Sequence, residues 1–408
     1  MQSRLSKFLS IAPALLAIIV DYFGWGLVYP LATAIINDPN SNILPAGISL
    51  SARDFYLSLS FLLYPLCMLF GSSTLGDLSD IYGRKKVLFI CTIGIGISFL
   101  CMGYGLSISS IGLFLVGRAV SGFMAGTVPI AQAAVVDISA PEDKPFNLGL
   151  LSITFSVGLV LGPLIGAVLS DPKLGAWFGY STPLYFSAIL AFLAALWIQT
   201  SFAHHERHHP NKTFSLLRPL ILFKDAFVNS QVRRLAVVLF LFQFGVSLFI
   251  QSILIFLNSD LHYTSMGLGM YWVLMGVGFI LGLILLKRVT RKDFSTTRLI
   301  IYSLLIQTVA VILSSLFVSE TPLWILGFVF AIFNPASYAL LMAVFSDVAP
   351  LESQGWVMGI WSAVVALAFV AGALCNNLIP IFGVDPVIFI GGLALGLSAL
   401  LLYRSVKR

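Results

Sequence analysis

The sequence predicts an all-α membrane protein of twelve transmembrane helices in two pseudo-symmetric six-helix bundles. Three observations predict it: a composition too apolar for a soluble domain, apolar stretches of membrane-spanning length along the whole chain, and a weak internal repeat. Of 408 residues, 59% are hydrophobic and 10% are charged. A soluble domain carries roughly 25% charged and 45–50% apolar residues. The apolar excess has to face lipid, because a soluble protein must also fill its surface.

Spans are predicted at 9–36, 55–76, 86–107, 111–139, 147–170, 181–201, 234–259, 266–288, 297–318, 322–347, 356–380 and 386–404. Each can cross a ~30 Å hydrocarbon core as a helix. A transmembrane barrel would alternate polar and apolar residues in segments of about ten, and no such alternation is present. The first run follows Arg4 and Lys7 and continues through Pro30. It is too long for a signal-peptide core and is predicted as a retained helix. Cys67, Cys91, Cys101 and Cys375 all fall inside predicted spans and read as small packing residues rather than a disulfide framework.

The net charge of +6 is explained by topology rather than by nucleic acid. Alternate loops collect the basic residues: Arg84 to Lys86; Arg207 to Arg234; Lys287 to Arg298; and Arg404, Lys407 and Arg408 at the end. The opposite side holds Arg53 and Lys173. This positive-inside pattern predicts both termini in the cytoplasm. The expected location is a cell inner membrane.

The longest polar connection separates six spans from six. The predicted division is an N-terminal bundle at 1–201, a cytoplasmic linker at 202–233 and a C-terminal bundle at 234–408. A single offset of 210 residues relates Asp137 to Asp347, Gly149 to Gly359, Ser152 to Ser362 and Gly162 to Gly372. Parallel repeats of this kind characterise one large transporter class.

Motifs then sharpen the reading. The loop after the second span runs Gly76-Asp77-Leu78-Ser79-Asp80-Ile81-Tyr82-Gly83-Arg84-Lys85-Lys86-Val87-Leu88. It resembles the G-x-L-x-D-x-x-G-R-K-x-x-L signature of the major facilitator superfamily at every defined position. A tight turn through Gly76 and Gly83 is expected, with Asp80 against a helix N-terminus or paired with Arg84. The resemblance implies a major facilitator fold and a gating role for Gly76, Asp80, Gly83, Arg84 and Lys85.

The fourth span carries Arg118-Ala119-Val120-Ser121-Gly122-Phe123-Met124-Ala125-Gly126, similar to the family's second motif, whose arginine takes part in proton coupling. An arginine there costs ~2.5–3.5 kcal/mol or more. It must find a partner or water, or snorkel to the interface. The fifth span carries Gly149, Gly158, Gly162, Pro163 and Gly166. It resembles the proton-coupled drug antiporter signature G-x8-G-x3-G-P-x2-G-G, departing at Ala167. Three of these glycines recur every four residues and let another helix approach closely. The resemblance implies export.

The first span contains Asp21-Tyr22-Phe23-Gly24-Trp25-Gly26-Leu27-Val28-Tyr29-Pro30 and looks like the first helix of tetracycline-type and multidrug exporters. Asp21 is the one acid predicted deep within a span. A carboxyl that is protonated in one access state and ionised in the other would carry a proton, although a permanently paired structural Asp is the alternative. Asp21 is the expected proton carrier and Arg118 its electrostatic regulator.

A substrate cavity is expected from Trp25, Tyr29, Gln243, Ser247, Gln251, Asn334, Tyr338 and Trp361. Gln243, Ser247 and Gln251, like Asn334 and Tyr338, are spaced by four and so share a helix face. The aromatic members also suit lipid or interface anchoring. His204-His205-Glu206-Arg207-His208-His209 could bind a metal or sense pH if helical, but reads better as a solvated loop, and no metal site is predicted.

No Walker loop, G-x-S-x-G or HExxH appears. The chain is expected to be no enzyme and to need no cofactor. Its expected partners are a small-molecule substrate, protons and the lipid bilayer, with no nucleic acid, and the expected state is monomeric. The reading that follows is a proton-coupled secondary transporter exporting small amphipathic compounds by alternating access. Three alternatives stay open: an exporter of a native metabolite such as a siderophore, a proton symporter for uptake, and a non-transporting membrane sensor or scaffold.

Overall fold

A computed structural model describes residues 2–38, 41–45, 47–138, 144–202, 221, 230–289, 295–317, 319–348 and 354–406. The helices are α1 (Gln2–Asn37), α2 (Leu50–Tyr82), α3 (Arg84–Ser107), α4 (Ile111–Met124), α5 (Thr127–Ile138), α6 (Lys144–Ser170) and α7 (Thr182–Ser201). They continue with α8 (Ser230–Ser259), α9 (Ser265–Val289), α10 (Thr296–Ser314), α11 (Glu320–Asp347), α12 (Gln354–Cys375), α13 (Ile379–Phe382) and α14 (Val384–Val406). Eleven stretches of the described residues are long and apolar enough to cross a membrane, and the described apolar part of α6, Val157–Ser170, is a shorter one.

Helices dominate because lipid offers no partner for a backbone N–H or C=O, so each segment must satisfy its own. Side-chain hydroxyls follow the same rule by bonding back to carbonyls of their own helix. Thr33 Oγ1 donates to Tyr29 O at 2.9 Å, Thr92 Oγ1 to Leu88 O at 2.8 Å and Ser187 Oγ to Pro183 O at 2.7 Å.

Three details differ from the predicted spans. α2 runs on to Tyr82 instead of ending near 76, because a helix may leave the hydrocarbon while staying helical through polar Gly76 to Asp80. The span at 111–139 is two helices, broken at Ala125 and Gly126, where Ala125 N–H bonds back three residues to Gly122 O. The span at 356–380 ends in a 3₁₀ turn at Asn376–Leu378 followed by α13.

The chain divides into two compact units, one comprising Met1–Ala46 and Leu66–Arg218, the other Gly47–Pro65 and Pro219–Arg408. Within the first, α1 packs on α6 and α7, and α3 packs on α4 and α7. Within the second, α8 packs on α12 and α14, and α10 packs on α11 and α14. Each unit thus repeats one packing scheme, as the 210-residue offset leads one to expect. The first unit's core gathers Ala14, Ala17 and Ile18 of α1, Leu88 and Cys91 of α3, Ile130 and Ala134 of α5, and Ile198 of α7.

Candidate functional site

α1 offers two faces with different work. One packs on α6, and the contact is made possible by the glycines of the fifth-span motif. A Cβ on Gly158 would lie 2.7 Å from the Ile19 carbonyl oxygen and 2.9 Å from Tyr22 Cβ. One on Gly162 would run into the backbone of Phe23, and one on Gly166 into the side chain of Leu27. The fit is reciprocal, since a Cβ on Gly26 would stand 3.0 Å from Pro163 Cδ. Gly149 lies within α6.

The other face carries Asp21, Trp25 and Tyr29, spaced by four and so stacked one above the next. Asp21 is 5% exposed and lies within electrostatic range of Cys91 on α3. Trp25 and Tyr29 meet edge to face with ring centroids 5.3 Å apart. The Arg118 guanidinium, 1% exposed, stands 5.8 Å from the Tyr29 ring centroid. Arg118 is therefore drawn inward onto an aromatic face, a favourable seat for a desolvated cation, rather than extended to the interface. Asp21 and Tyr29 are eight residues apart, about 12 Å of helix rise.

The gating motif turns at one residue. Gly83 adopts φ 95°, ψ 141° between α2 and α3, a region open in practice to glycine alone. Gly76 sits inside α2 with open space where a Cβ would be, so the turn does not need it. Asp80 pairs with Arg84 at 2.5 Å, and Arg84 also donates to Ser79 Oγ at 2.5 Å. Lys85 follows in the first turn of α3, partly buried. Gly83→Ala is expected to destabilise by about 1–3 kcal/mol. Gly76→Ala should be neutral or stabilising by up to about 1 kcal/mol. Thermal unfolding midpoints of the two purified variants check the contrast.

The predicted cavity residues of the second unit fall into two hydrogen-bonded groups. On α8, Gln251 Nε2 donates to Ser247 Oγ at 2.7 Å, and Gln251 Oε1 accepts from Asn376 Nδ2 at 2.7 Å. Ser252 Oγ closes the group onto Asn376 Oδ1 at 3.1 Å. Ser247 and Gln251 thus bond to each other, Gln251 also to Asn376 in the 3₁₀ turn after α12, and Gln243 is buried on the same face. On α11, Asn334 Nδ2 donates to Gln307 Oε1 at 3.3 Å, and Tyr338 OH accepts from Trp361 Nε1 at 3.2 Å.

The structure adds residues that the sequence did not single out. Asp77, 2% exposed, is a second buried carboxyl, missed because the helix runs beyond its apolar stretch. Gln307 is fully buried in α10 and tied to α11. A lone amide midway along an apolar span was a readable signal, since such residues face the bundle interior and find partners. Trp324 Nε1, near the start of α11, donates at 2.8 Å to the OH of Tyr263, which lies outside the spans in the α8–α9 loop and whose phenol burial pushes up. The His204–His209 cluster lies outside the described residues. Among the described residues no group of three or more His, Cys, Asp or Glu could hold a metal ion.

Apolar membrane-length helices in two repeated units define a multi-pass membrane protein. Residues 14–373 match the Major Facilitator Superfamily, and the chain belongs to that family. The class C tetracycline resistance protein of Escherichia coli is 26% identical over 87% of this chain and 85% of its own length. The class H tetracycline resistance protein of Pasteurella multocida is 28% identical over 40% of this chain, a match spanning 38% of that protein. The human organic anion transporter MFSD10 has the same fold, with a TM-score of 0.73 at 19% identity over 97% of this chain and 99% of that one.

Proposed function

We propose that this protein exports small amphipathic compounds across a cell inner membrane in exchange for protons, by alternating access. The observation that carries the reading is the convergence on α1. The glycine stripe that resembles the antiporter signature packs on one face, and another face holds Asp21, Trp25 and Tyr29 with Arg118 seated at its far end. Asp21 would take up the proton, and Arg118 would set how readily it is released. The similarity to tetracycline resistance proteins supports the direction of transport.

The test uses purified protein in vesicles loaded at acidic pH, with an external pH dye. Tetracycline, lipophilic cations and iron chelators are added in turn. Substrate-triggered proton release supports antiport. Parallel fluxes would favour uptake by symport, and no flux with any compound would sink the exporter reading.

A second reading is favoured by one feature. Arg118 places a buried positive charge beside Tyr29, which would suit an organic anion, the substrate class named for MFSD10. Adding an aromatic carboxylate to the same assay, beside the lipophilic cations, separates the two readings.

The Asp80–Arg84 pair would steady one gate state. Both partners are partly exposed, at 15% and 25%, so the pair contributes under about 1 kcal/mol to folding. Asp80→Asn is therefore expected to leave the unfolding temperature nearly unchanged while slowing turnover several-fold in the vesicle assay.

A further inference from the structure

The orientation of one buried amide fixes the chemistry that α11 presents. Gln307 Nε2 lies 3.0 Å from Ser303 O and 3.4 Å from Phe333 O, and 2.8 Å from Ser337 Oγ. Backbone carbonyls only accept, so the nitrogen of Gln307 must face them and its oxygen must face α11. Asn334 then has no choice. It must turn its NH₂ toward Gln307 Oε1, which leaves Asn334 Oδ1 pointing away as an acceptor. Asn334 is partly buried, and among the described residues that oxygen takes no hydrogen bond.

One turn along α11 the complementary group is fixed in the same way. The Trp361 indole has only an N–H and donates it to Tyr338 OH. The rings hold each other edge to face at 5.2 Å, with Phe345 against Trp361 at 5.6 Å. The Tyr338 oxygen is used as an acceptor, so its own O–H is left to donate. Tyr338 is 37% exposed, whereas Trp361 and Gln307 are at 2% and 0%. The inner pair is sealed and the outer pair is accessible.

We propose that Asn334 Oδ1 and Tyr338 OH form a two-point recognition element for a neutral group that carries an N–H or O–H donor beside an acceptor oxygen, such as a primary amide or an enol next to a carbonyl. Gln307 is its positioning residue, acting through Asn334. This rests on the reading that α11 faces the transported compound. Pro335, between the two recognition residues, lies within α11 and has no N–H, so the helix forgoes one backbone hydrogen bond there.

The experiment is equilibrium binding by titration calorimetry on the purified full-length protein, which does not depend on proton coupling. Tetracycline is one probe, since it carries a carboxamide flanked by an enol. Tetraphenylphosphonium is the other, since it has no hydrogen-bonding group. Asn334→Leu, Gln307→Leu and Tyr338→Phe are each expected to weaken tetracycline binding about tenfold and to leave tetraphenylphosphonium unchanged. The double variant Asn334→Leu with Gln307→Leu should be no worse than Asn334→Leu alone, because one residue acts through the other. Tyr338→Phe keeps the ring against Trp361 and guards against loss of folding. No tetracycline binding by the wild type, equal weakening of both probes, or unchanged affinity in Tyr338→Phe would each overturn the proposal. Binding without antiport would instead remove the coupling reading and leave this one standing.

Discussion

Replacing Asp21 by asparagine is expected to abolish proton-driven accumulation while leaving substrate exchange across equal pH intact. The amide has nearly the shape of the carboxyl, so the α1 packing around it should survive. What it cannot do is gain and lose a proton. On the proposed mechanism each cycle moves one proton through Asp21. One charge crossing the membrane potential is worth ~2.3 kcal/mol per 100 mV, and every 1.4 kcal/mol is tenfold. Removing that coupling lowers the attainable gradient at 100 mV by roughly 50-fold. The measurement is substrate gradient against imposed potential in vesicles, wild type beside Asp21→Asn. Equal gradients in the two would remove Asp21 from the coupling path. Asp77, the other buried carboxyl among the described residues, would then be the next to replace.

Arg118→Lys in the same assay separates regulation from structure. A lysine keeps the charge but is a more strongly hydrated point charge and stacks less well on an aromatic ring. If the seat over Tyr29 matters, coupling should weaken while the charge persists.

The parts of this molecule that were legible in its sequence are those that lipid dictates. Apolar runs had to be helices, because no other structure satisfies the backbone alone in hydrocarbon. Glycines at 158, 162 and 166 had to mark a close helix contact, because a spacing of four puts them on one face. The partner could not be read. That α6 meets Ile19, Phe23 and Gly26 of α1 is decided by which helices the loops and neighbouring bulk allow together. The face spaced by four on α8 was equally readable, but its outlook was not. Asn376 satisfies Gln251, and it lies 125 residues away in the chain. Periodicity finds stripes of residues, so it passes over singletons such as Gln307, whose role appears only when Asn334 and Ser337 stand beside it. Resemblance also has a limit at Gly76, a matched motif position for which the packing of this unit shows no steric need.

Gly162 shows how severe the opposite case should be. Gly162→Ala adds one methyl group, usually favourable inside a helix because alanine loses less backbone freedom than glycine on folding, a gain of about 0.5–1 kcal/mol. Here the new carbon would meet the carbonyl of Phe23. Backbone cannot rotate aside as a side chain can, so α6 must move off α1 along the whole stripe, loosening Gly158 against Ile19 and Pro163 against Gly26 together. Overpacking of this kind costs typically 1–3 kcal/mol, and here the net change outweighs the helix-propensity gain. Gly162→Ala is expected to lower the unfolding temperature of the purified protein clearly, and Gly162→Val to prevent its recovery as a folded monodisperse species. The shared offset supplies a comparison, since a Cβ on Gly372 would instead meet the hydroxyl of Ser247, a side-chain atom. If space alone decides, Gly372→Ala should be the milder of the two, and Ser247→Ala should relieve it in part, since it removes the hydroxyl but leaves Ser247 Cβ at 2.9 Å. Gly162→Ala should gain nothing from any side-chain truncation on α1, because the obstacle there is the helix itself.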